Sequence, residues 1–352
     1  MRKRTETILI KGNTLANVKK LKTMARDIDS LAVIMYGSPD PDAVASAMAL
    51  QEIIKHNGVL VHCDFIATDA VSRQQNFEFI RAMKIKIHML NEVDLKAYCL
   101  VAVVDAQPSF FGDALNGFQP HIVIDHHPSK TGSDAELVDI RENYGALATI
   151  MTEYLLAAKI KIPRKLHTAL LYGIKTDTNN FERDTIMEDI SAYRLNFRHA
   201  NHQLIRRIEL NQIPDKFLKY YDHAFHFRRR YRDRITCFLG RVESPDACVQ
   251  VADFFLHFID IYYVVIAGIV KDRLIITFRG DGYRQDCGAI AAKAFGRYGS
   301  AGGHKSAARV EIPLETLKEA LSDDLSQENV DRFLLNRLRR KRNEGNNGKK
   351  PA

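Results

Sequence analysis

The chain has 352 residues, 46% hydrophobic and 27% charged, the composition of a soluble globular protein long enough for two domains that each bury a core. No run of about 18 uncharged apolar residues occurs, which excludes a membrane-spanning helix, and the basic start Met1-Arg2-Lys3-Arg4 leads into an apolar stretch too short for a signal peptide. A formal charge of +8 favours anionic partners without naming them, while five scattered cysteines exclude a zinc knuckle or disulfide framework and point to a reducing cytoplasm.

Residues 13–29 predict an amphipathic helix with Leu15, Val18, Leu21 and Met24 on one face. Leu31-Ala32-Val33-Ile34-Met35 is a continuous apolar run, as expected of a strand covered on both faces, and it ends at Tyr36-Gly37-Ser38-Pro39-Asp40-Pro41-Asp42. A helix follows, with Val44, Ala47, Met48, Ile53 and Ile54 apolar and Gly58 as its stop. Val59-Leu60-Val61-His62-Cys63 reads as the next strand, and Cys99-Leu100-Val101-Ala102-Val103-Val104 as another that ends on Asp105; Cys63 and Cys99 are expected to be buried in them. His121-Ile122-Val123-Ile124 then delivers Asp125-His126-His127-Pro128 into a turn. Strands alternating with helices imply an α/β fold with a doubly wound, mainly parallel sheet, whose functional crevice lies beyond the carboxyl ends of the strands. Asp40, Asp42, Asp105 and Asp125 therefore arrive at one edge with two imidazoles, a ligand set that suits a borderline-hard divalent cation.

Two apolar helical stripes follow, Leu147 to Ala158 and Leu166 to Gly173, the second leading into Lys175-Thr176-Asp177-Thr178, where Asp177 is a further carboxylate. Residues 1–188 are read as the first domain, 189–226 as a helical linker, 227–324 as a smaller α/β domain with a cleft against the first, and 325–352 as a helix and a basic, disordered tail. The second domain contains the strand Leu274 to Arg279 and the stretch Gly299-Ser300-Ala301-Gly302-Gly303-His304, whose glycines can bring backbone N–H groups close to a phosphate. Phe227-Arg228-Arg229-Arg230-Tyr231-Arg232 and Arg337-Leu338-Arg339-Arg340-Lys341-Arg342 concentrate the positive charge, as a nucleic-acid contact or as a solvated helix face and tail.

In this order the motifs resemble those of the DHH phosphoesterases, and within them the RecJ-like group of small oligoribonucleases and 3′-phosphoadenosine-5′-phosphate phosphatases. The match runs over residues 30–312: Tyr36 to Asp42 in place of His-x-x-Pro-Asp-x-Asp, the strand-ending Asp105, Asp125-His126-His127, Thr176-Asp177-Thr178, and Ala301-Gly302-Gly303-His304 with Arg279 of the C-terminal DHH-associated domain. The resemblance implies two Mn²⁺ ions, with Mg²⁺ as an alternative. Asp42, His126 and Asp177 would hold one, Asp40 the other, and Asp105 would bridge both. It further implies that His127 donates to a phosphoryl oxygen, that Asp125 orients His126, and that Arg279, Gly302, Gly303 and His304 hold the substrate's phosphate or terminal nucleotide.

Tyr36 departs from the family's histidine, and a phenol with a reference pKa of about 10 is a poor ligand at neutral pH. The first ion is then completed by water, or Tyr36 ligates as tyrosinate, or catalysis is weakened. The activity this implies is hydrolysis of short oligoribonucleotides or dinucleotides to 5′-mononucleotides. The motifs equally admit a 3′-phosphoadenosine-5′-phosphate phosphatase, a cyclic-dinucleotide phosphodiesterase, or a nucleotide-binding protein whose chemistry Tyr36 has impaired. The expected partner is short RNA or a nucleotide, with no membrane; a homodimer is left open.

Overall fold

The computed structural model describes residues 12–58, 62–115, 117–128, 132–183, 185–210, 213 and 215–338. The chain divides into two compact units, Met1–Gln212 and Ile213–Ala352.

The first unit runs α1 (Gly12–Met24), β1 (Ser30–Met35), α2 (Pro41–Asn57), β2 (His62–Ala67), α3 (Gln74–Ala82), β3 (Ile87–Met89), β4 (Leu100–Val104), β5 (Ile122–Asp125), β6 (Leu137–Ile140), α4 (Leu147–Ala157), α5 (Arg164–Asp177), α6 (Met187–Phe197) and α7 (His202–Leu210). Its sheet is wholly parallel in the order β3-β2-β1-β4-β5-β6. The order reverses between β1 and β4, so the carboxyl ends of these two strands flank the topological switch point. Both faces of the central strands are buried, which explains their unbroken apolar runs. Leu31, Val33 and Met35 face the helices α2, α4 and α5, while Ala32 and Ile34 face Leu90, Leu95, Phe111 and Leu115. The second face is covered by short 3₁₀ turns at Leu90–Glu92, Leu95–Ala97, Pro108–Phe110 and Gly112–Leu115. The sheet is doubly wound, but its second layer is thin.

Two local readings change, and one falls on residues that are not described. The expected strand residues Val59, Leu60 and Val61 lie outside the described residues. Gly58 ends α2 in extended backbone, and a Cβ there would sit 1.9 Å from the Ala25 carbonyl oxygen, so close approach rather than a left-handed turn demands the glycine. Cys99 is exposed, with its thiol 3.3 Å from an Asp29 carboxylate oxygen, and Cys63 is only half-buried; both sit at strand starts where the sheet's cover has run out.

Beside the site, Arg141 is buried and donates to Asp139, Glu153, Thr14 and Tyr144, tying β6, α4 and α1 together. Burial opposes its charge, yet these partners raise its pKa.

The second unit runs α8 (Leu218–Phe227), β7 (Arg229–Tyr231), β8 (Arg234–Arg241), α9 (Pro245–Leu256), β9 (Tyr263–Val270), β10 (Arg273–Gly280), α10 (Cys287–Phe295), β11 (Ser300–Gly303), β12 (Ala307–Pro313), α11 (Leu314–Ala320) and α12 (Gln327–Leu338). The sheet order is β11-β12-β10-β9-β8-β7; only β8 and β9, joined through α9, pair in parallel. One face packs on Tyr220, Val251 and Phe255, the other on Phe295, Leu317 and Leu334. Of the stretch expected as a linker, α6 and α7 belong to the first unit and α8 to the second. The basic residues Arg339, Arg340, Lys341 and Arg342 and the expected tail beyond them lie outside the described residues.

Candidate metal centre

Each acidic residue of the first unit is placed by a local rule of chain geometry. The chain leaves β1 through Tyr36 and Gly37, the latter at φ +70°, a left-handed turn that favours glycine. Asp40 then caps α2, its Oδ1 accepting the N–H groups of Asp42 and Ala43 at 2.9 Å each, with Pro41 at the first helical position. Two residues on, in the first turn of the helix, Asp42 is fully buried, and its two oxygens accept the first amides of α4, Leu147 N–H at 2.6 Å and Ala148 N–H at 2.9 Å. The carboxylate thus sits on a helix N-terminus, where the macrodipole favours negative charge. Gly173 of α5 permits this packing, since a Cβ there would lie 3.0 Å from Asp42 Oδ1 and 3.1 Å from its Cα.

Asp105 follows β4 at φ +59°, a conformation that aspartate tolerates and that turns the chain sharply at the sheet edge. At the end of β5, Asp125 is buried while His126 and His127 project beyond it. Asp177 is the last residue of α5 rather than part of a loop.

These elements bring two groups of donor atoms together, Asp42 with His126 and Asp177, and Asp105 with His126 and His127. His126 Nε2 lies 3.1 Å from Asp177 Oδ2 and 3.3 Å from Asp105 Oδ1. All three atoms are buried, and none has a hydrogen-bond partner. Leaving one such buried polar atom unsatisfied costs about 1–3 kcal/mol, so three converging on one space fit a shared cation. On the other side of the ring, His126 Nδ1 lies 2.9 Å from the Tyr144 carbonyl oxygen, a pure acceptor, so Nδ1 carries the hydrogen and Nε2 faces the acids.

The electrostatics agree. Burial, then the neighbouring Asp105, pushes Asp40 up to about 7. Burial followed by Asp105 and Asp177 raises Asp42 well above the carboxylate range, and burial raises Asp105. Against the lowering effect of burial, Asp105 and Asp177 push His126 up to about 12. Packed carboxylates of this kind hold protons until a metal ion replaces them. Asp40 stands outside both donor groups, with Oδ1 committed to its cap.

Asp125 orients His127, not His126. Its Oδ1 lies 2.9 Å from His127 Nδ1, and its Oδ2 accepts from Gln107 Nε2 at 2.8 Å. The two rings lie side by side, 4.6 Å between centroids, but the Asp125 carboxylate is spent on His127 and Gln107, while His126 Nδ1 is taken by the Tyr144 carbonyl. These bonds hold Asp125 below the usual range against its burial, and Asp125 in turn raises His127. Gln107, buried two residues after Asp105, also donates to the carbonyls of His127 and Pro128; the sequence reading missed it. Asp189 was missed as well: it accepts from Gly145 N–H, Ile186 N–H and the Thr149 hydroxyl, holding the turn into α4.

Tyr36 is 49% exposed and packs edge-on against Phe110 and Phe111, at ring-centroid distances of 6.0 and 5.2 Å, with Phe110 6.1 Å from His127. In the second unit, Arg279, next to last in β10, lies opposite Ala307 and pairs through Nε with Asp253 at 2.9 Å. Gly302 and Gly303 do not form a phosphate loop ahead of a helix: they are edge-strand residues of β11, and His304 begins the turn into β12, its N–H donating to Ala307 O at 2.7 Å. Gly303 has φ +149°, and a Cβ would lie 2.4 Å from Ala307 O, so the glycines serve this tight hairpin. Arg279 and His304 nevertheless lie at the same end of the second sheet. His199, His202, His223 and His226 join neither donor group among the described residues.

Residues 30–174 match the model of the DHH family, N-terminal domain. This stretch of the first unit, from β1 into α5, is thus similar to the N-terminal domain of the DHH family. An uncharacterized protein of Methanocaldococcus jannaschii is 33% identical over 321 residues, 90% of this chain; the chain spans 65% of that relative's length. Among solved structures, an exopolyphosphatase-related protein from Bacteroides fragilis shares the fold, with TM-score 0.67 at 15% identity over 94% of this chain and 97% of that one. RecJ of Thermus thermophilus in complex with Mn²⁺ aligns at TM-score 0.47 and 13% identity, over 94% of this chain and 56% of that one. No helix among the described residues is long and apolar enough to cross a membrane.

Proposed function

We propose that the chain is a divalent-metal-dependent phosphodiesterase that cleaves short oligoribonucleotides or dinucleotides to 5′-mononucleotides. The observation that carries this reading is the convergence of Asp105 Oδ1, His126 Nε2 and Asp177 Oδ2, buried and unpartnered, beside the carboxylate of Asp42. Asp42, His126 and Asp177 would hold one ion; Asp40 and Asp105 would face a second, with Mn²⁺ favoured by the mixture of imidazole and carboxylate and Mg²⁺ as the alternative. When bound, such ions neutralise a phosphoryl oxygen and make water acidic enough to attack phosphorus near neutral pH.

The protein's own groups do the rest. His127 is held by Asp125 through Nδ1, and the same carboxylate favours the protonated ring, whose Nε2–H can then donate to a phosphoryl oxygen or to the departing oxygen. Tyr36 and Phe110 offer ring edges and faces beside His127, a surface suited to a nucleobase and without purpose for an inorganic phosphate chain. Arg279 and His304 of the second unit are assigned to the substrate's terminal phosphate, Arg279 by exchanging Asp253 for it.

The test is a substrate panel with Mn²⁺: a labelled dinucleotide, 3′,5′-bisphosphorylated adenosine, a cyclic dinucleotide and polyphosphate. Dinucleotide turnover to 5′-mononucleotides, abolished in Asp105→Asn, is expected. Intact dinucleotides after prolonged incubation would refute the proposal.

A further inference from the structure

A second surface, unrelated to the metal centre, lies at the open edge of the second sheet. Strand β7 is the last in the sheet order, and its three residues are all exposed. Beside it, Arg230, Phe254, His257, Phe258 and Ile259 wall a cavity of about 570 Å³. The rings form a continuous path out of the core: buried Phe255 lies 5.5 Å from Phe254, which lies 5.7 Å from both Phe225 and Phe258. Arg228 stands over the Phe225 ring at 6.0 Å, and Arg230 Nη2 reaches the Ile259 carbonyl at 3.5 Å. Among the described residues, Arg228, Arg230 and Arg232 have no acidic partner; the nearby Asp253 is taken by Arg279.

We propose that this surface binds single-stranded nucleic acid, the arginines following the phosphates and the recess walled by Phe254, His257 and Phe258 accepting a base. Aromatic faces joined to unpaired guanidinium groups are the features that single strands require, because every base can stack and every phosphate needs a cation. A second copy of the chain is disfavoured, since pairing two β7 edges would oppose arginine to arginine. A lipid surface would call for a protruding aliphatic face, whereas here the rings wall a recess and Ile259, at 85% exposure, stands alone on its rim.

The test is fluorescence anisotropy of labelled dodecauridylate with the full chain in EDTA, where the metal centre plays no part. Arg228→Glu/Arg230→Glu should weaken binding at least tenfold and flatten the slope of log K against log salt by ~1.4, from about 0.7 per phosphate contact. Phe258→Ala, which removes an exposed ring, should weaken it about fivefold or more. Both variants should retain wild-type turnover of bis(p-nitrophenyl) phosphate with Mn²⁺, a substrate with neither a nucleobase nor a chain of phosphates for this surface to hold, so failure here and failure of the proposed chemistry are distinguishable. Absence of wild-type binding at 50 mM salt, equal binding by the variants, or capture by phosphatidylglycerol vesicles without binding of the oligonucleotide would each overturn the proposal.

Discussion

The ion-free site should destabilise the protein as pH rises, and metal should reverse this. Asp40 moves from 3.8 to about 7 through burial and the charge of Asp105. A group raised on folding contributes stability that is complete below its unfolded pKa and lost as pH climbs through the folded value, here between about 4 and 7. At 1.36 kcal/mol per unit over roughly three units the ceiling is ~4 kcal/mol, and solvent relaxation brings this to about 2–4 kcal/mol. His126, raised to about 12, acts with the same sign above its unfolded value of 6.5. An EDTA-treated sample should therefore melt lower at pH 8 than at pH 5. With Mn²⁺ at about a hundred times its Kd, binding adds ~2.7 kcal/mol, which for a unit of this size is roughly 5–11 °C. Because the ion takes the place of protons, that gain should grow with pH. Differential scanning calorimetry at pH 5, 6, 7 and 8, with EDTA and with Mn²⁺, measures both slopes. A flat or rising melting temperature in EDTA across this range, or no response to Mn²⁺ at pH 7.5, would refute the reasoning.

Removing the cation of the buried network by Arg141→Met leaves Asp139 and Glu153 buried and uncompensated, an expected loss of about 3–5 kcal/mol, or roughly 6–20 °C in thermal melts. Most of that loss should return when Asp139→Asn and Glu153→Gln are added; a melting temperature unmoved by Arg141→Met contradicts the network. Gly173→Ala forces a methyl within 3.0 Å of Asp42 Oδ1 and should cost about 1–3 kcal/mol while weakening Mn²⁺ binding in calorimetric titration. Unchanged affinity would separate Gly173 from the site. Tyr36→His should raise the Mn²⁺ bound per chain or the rate; if neither moves, position 36 does not face the ions.

The strands that carry the site were legible because both of their faces are covered. Leu31 to Met35 and Leu100 to Val104 contain no polar residue, and their ends mark where acids emerge. The short strands β3 and β6 carried no such signal: Ile87, His88 and Met89 are each half-buried, and β6 alternates buried with exposed positions over only four residues. The glycines at 302 and 303 misled the reading because close backbone approach is needed by a hairpin as much as by a phosphate, and only the pairing with Ala308 and Arg309 distinguishes the two. Gln107 offers no spacing or composition signal. Its role exists only after Asp105, at φ +59°, has turned the chain back toward β5.

The adjacent histidines mark the limit of what a motif can say. As residues, His126 and His127 are identical; what separates them is the partner of each Nδ1. A backbone carbonyl accepts from His126, carries no net charge, and leaves Nε2 facing the carboxylates of Asp105 and Asp177, the donor set proposed for a cation. A buried carboxylate accepts from His127, favours its protonated form, and so prepares it to donate rather than to ligate. The division of labour follows from these Nδ1 partners, since the two rings lie side by side and His127 Nδ1 is itself only 3.8 Å from Asp105 Oδ1. Asp125→Asn should accordingly slow turnover while sparing Mn²⁺ affinity, whereas His126→Ala should abolish both, and equal loss of affinity in the two variants would mean that the rings share one task.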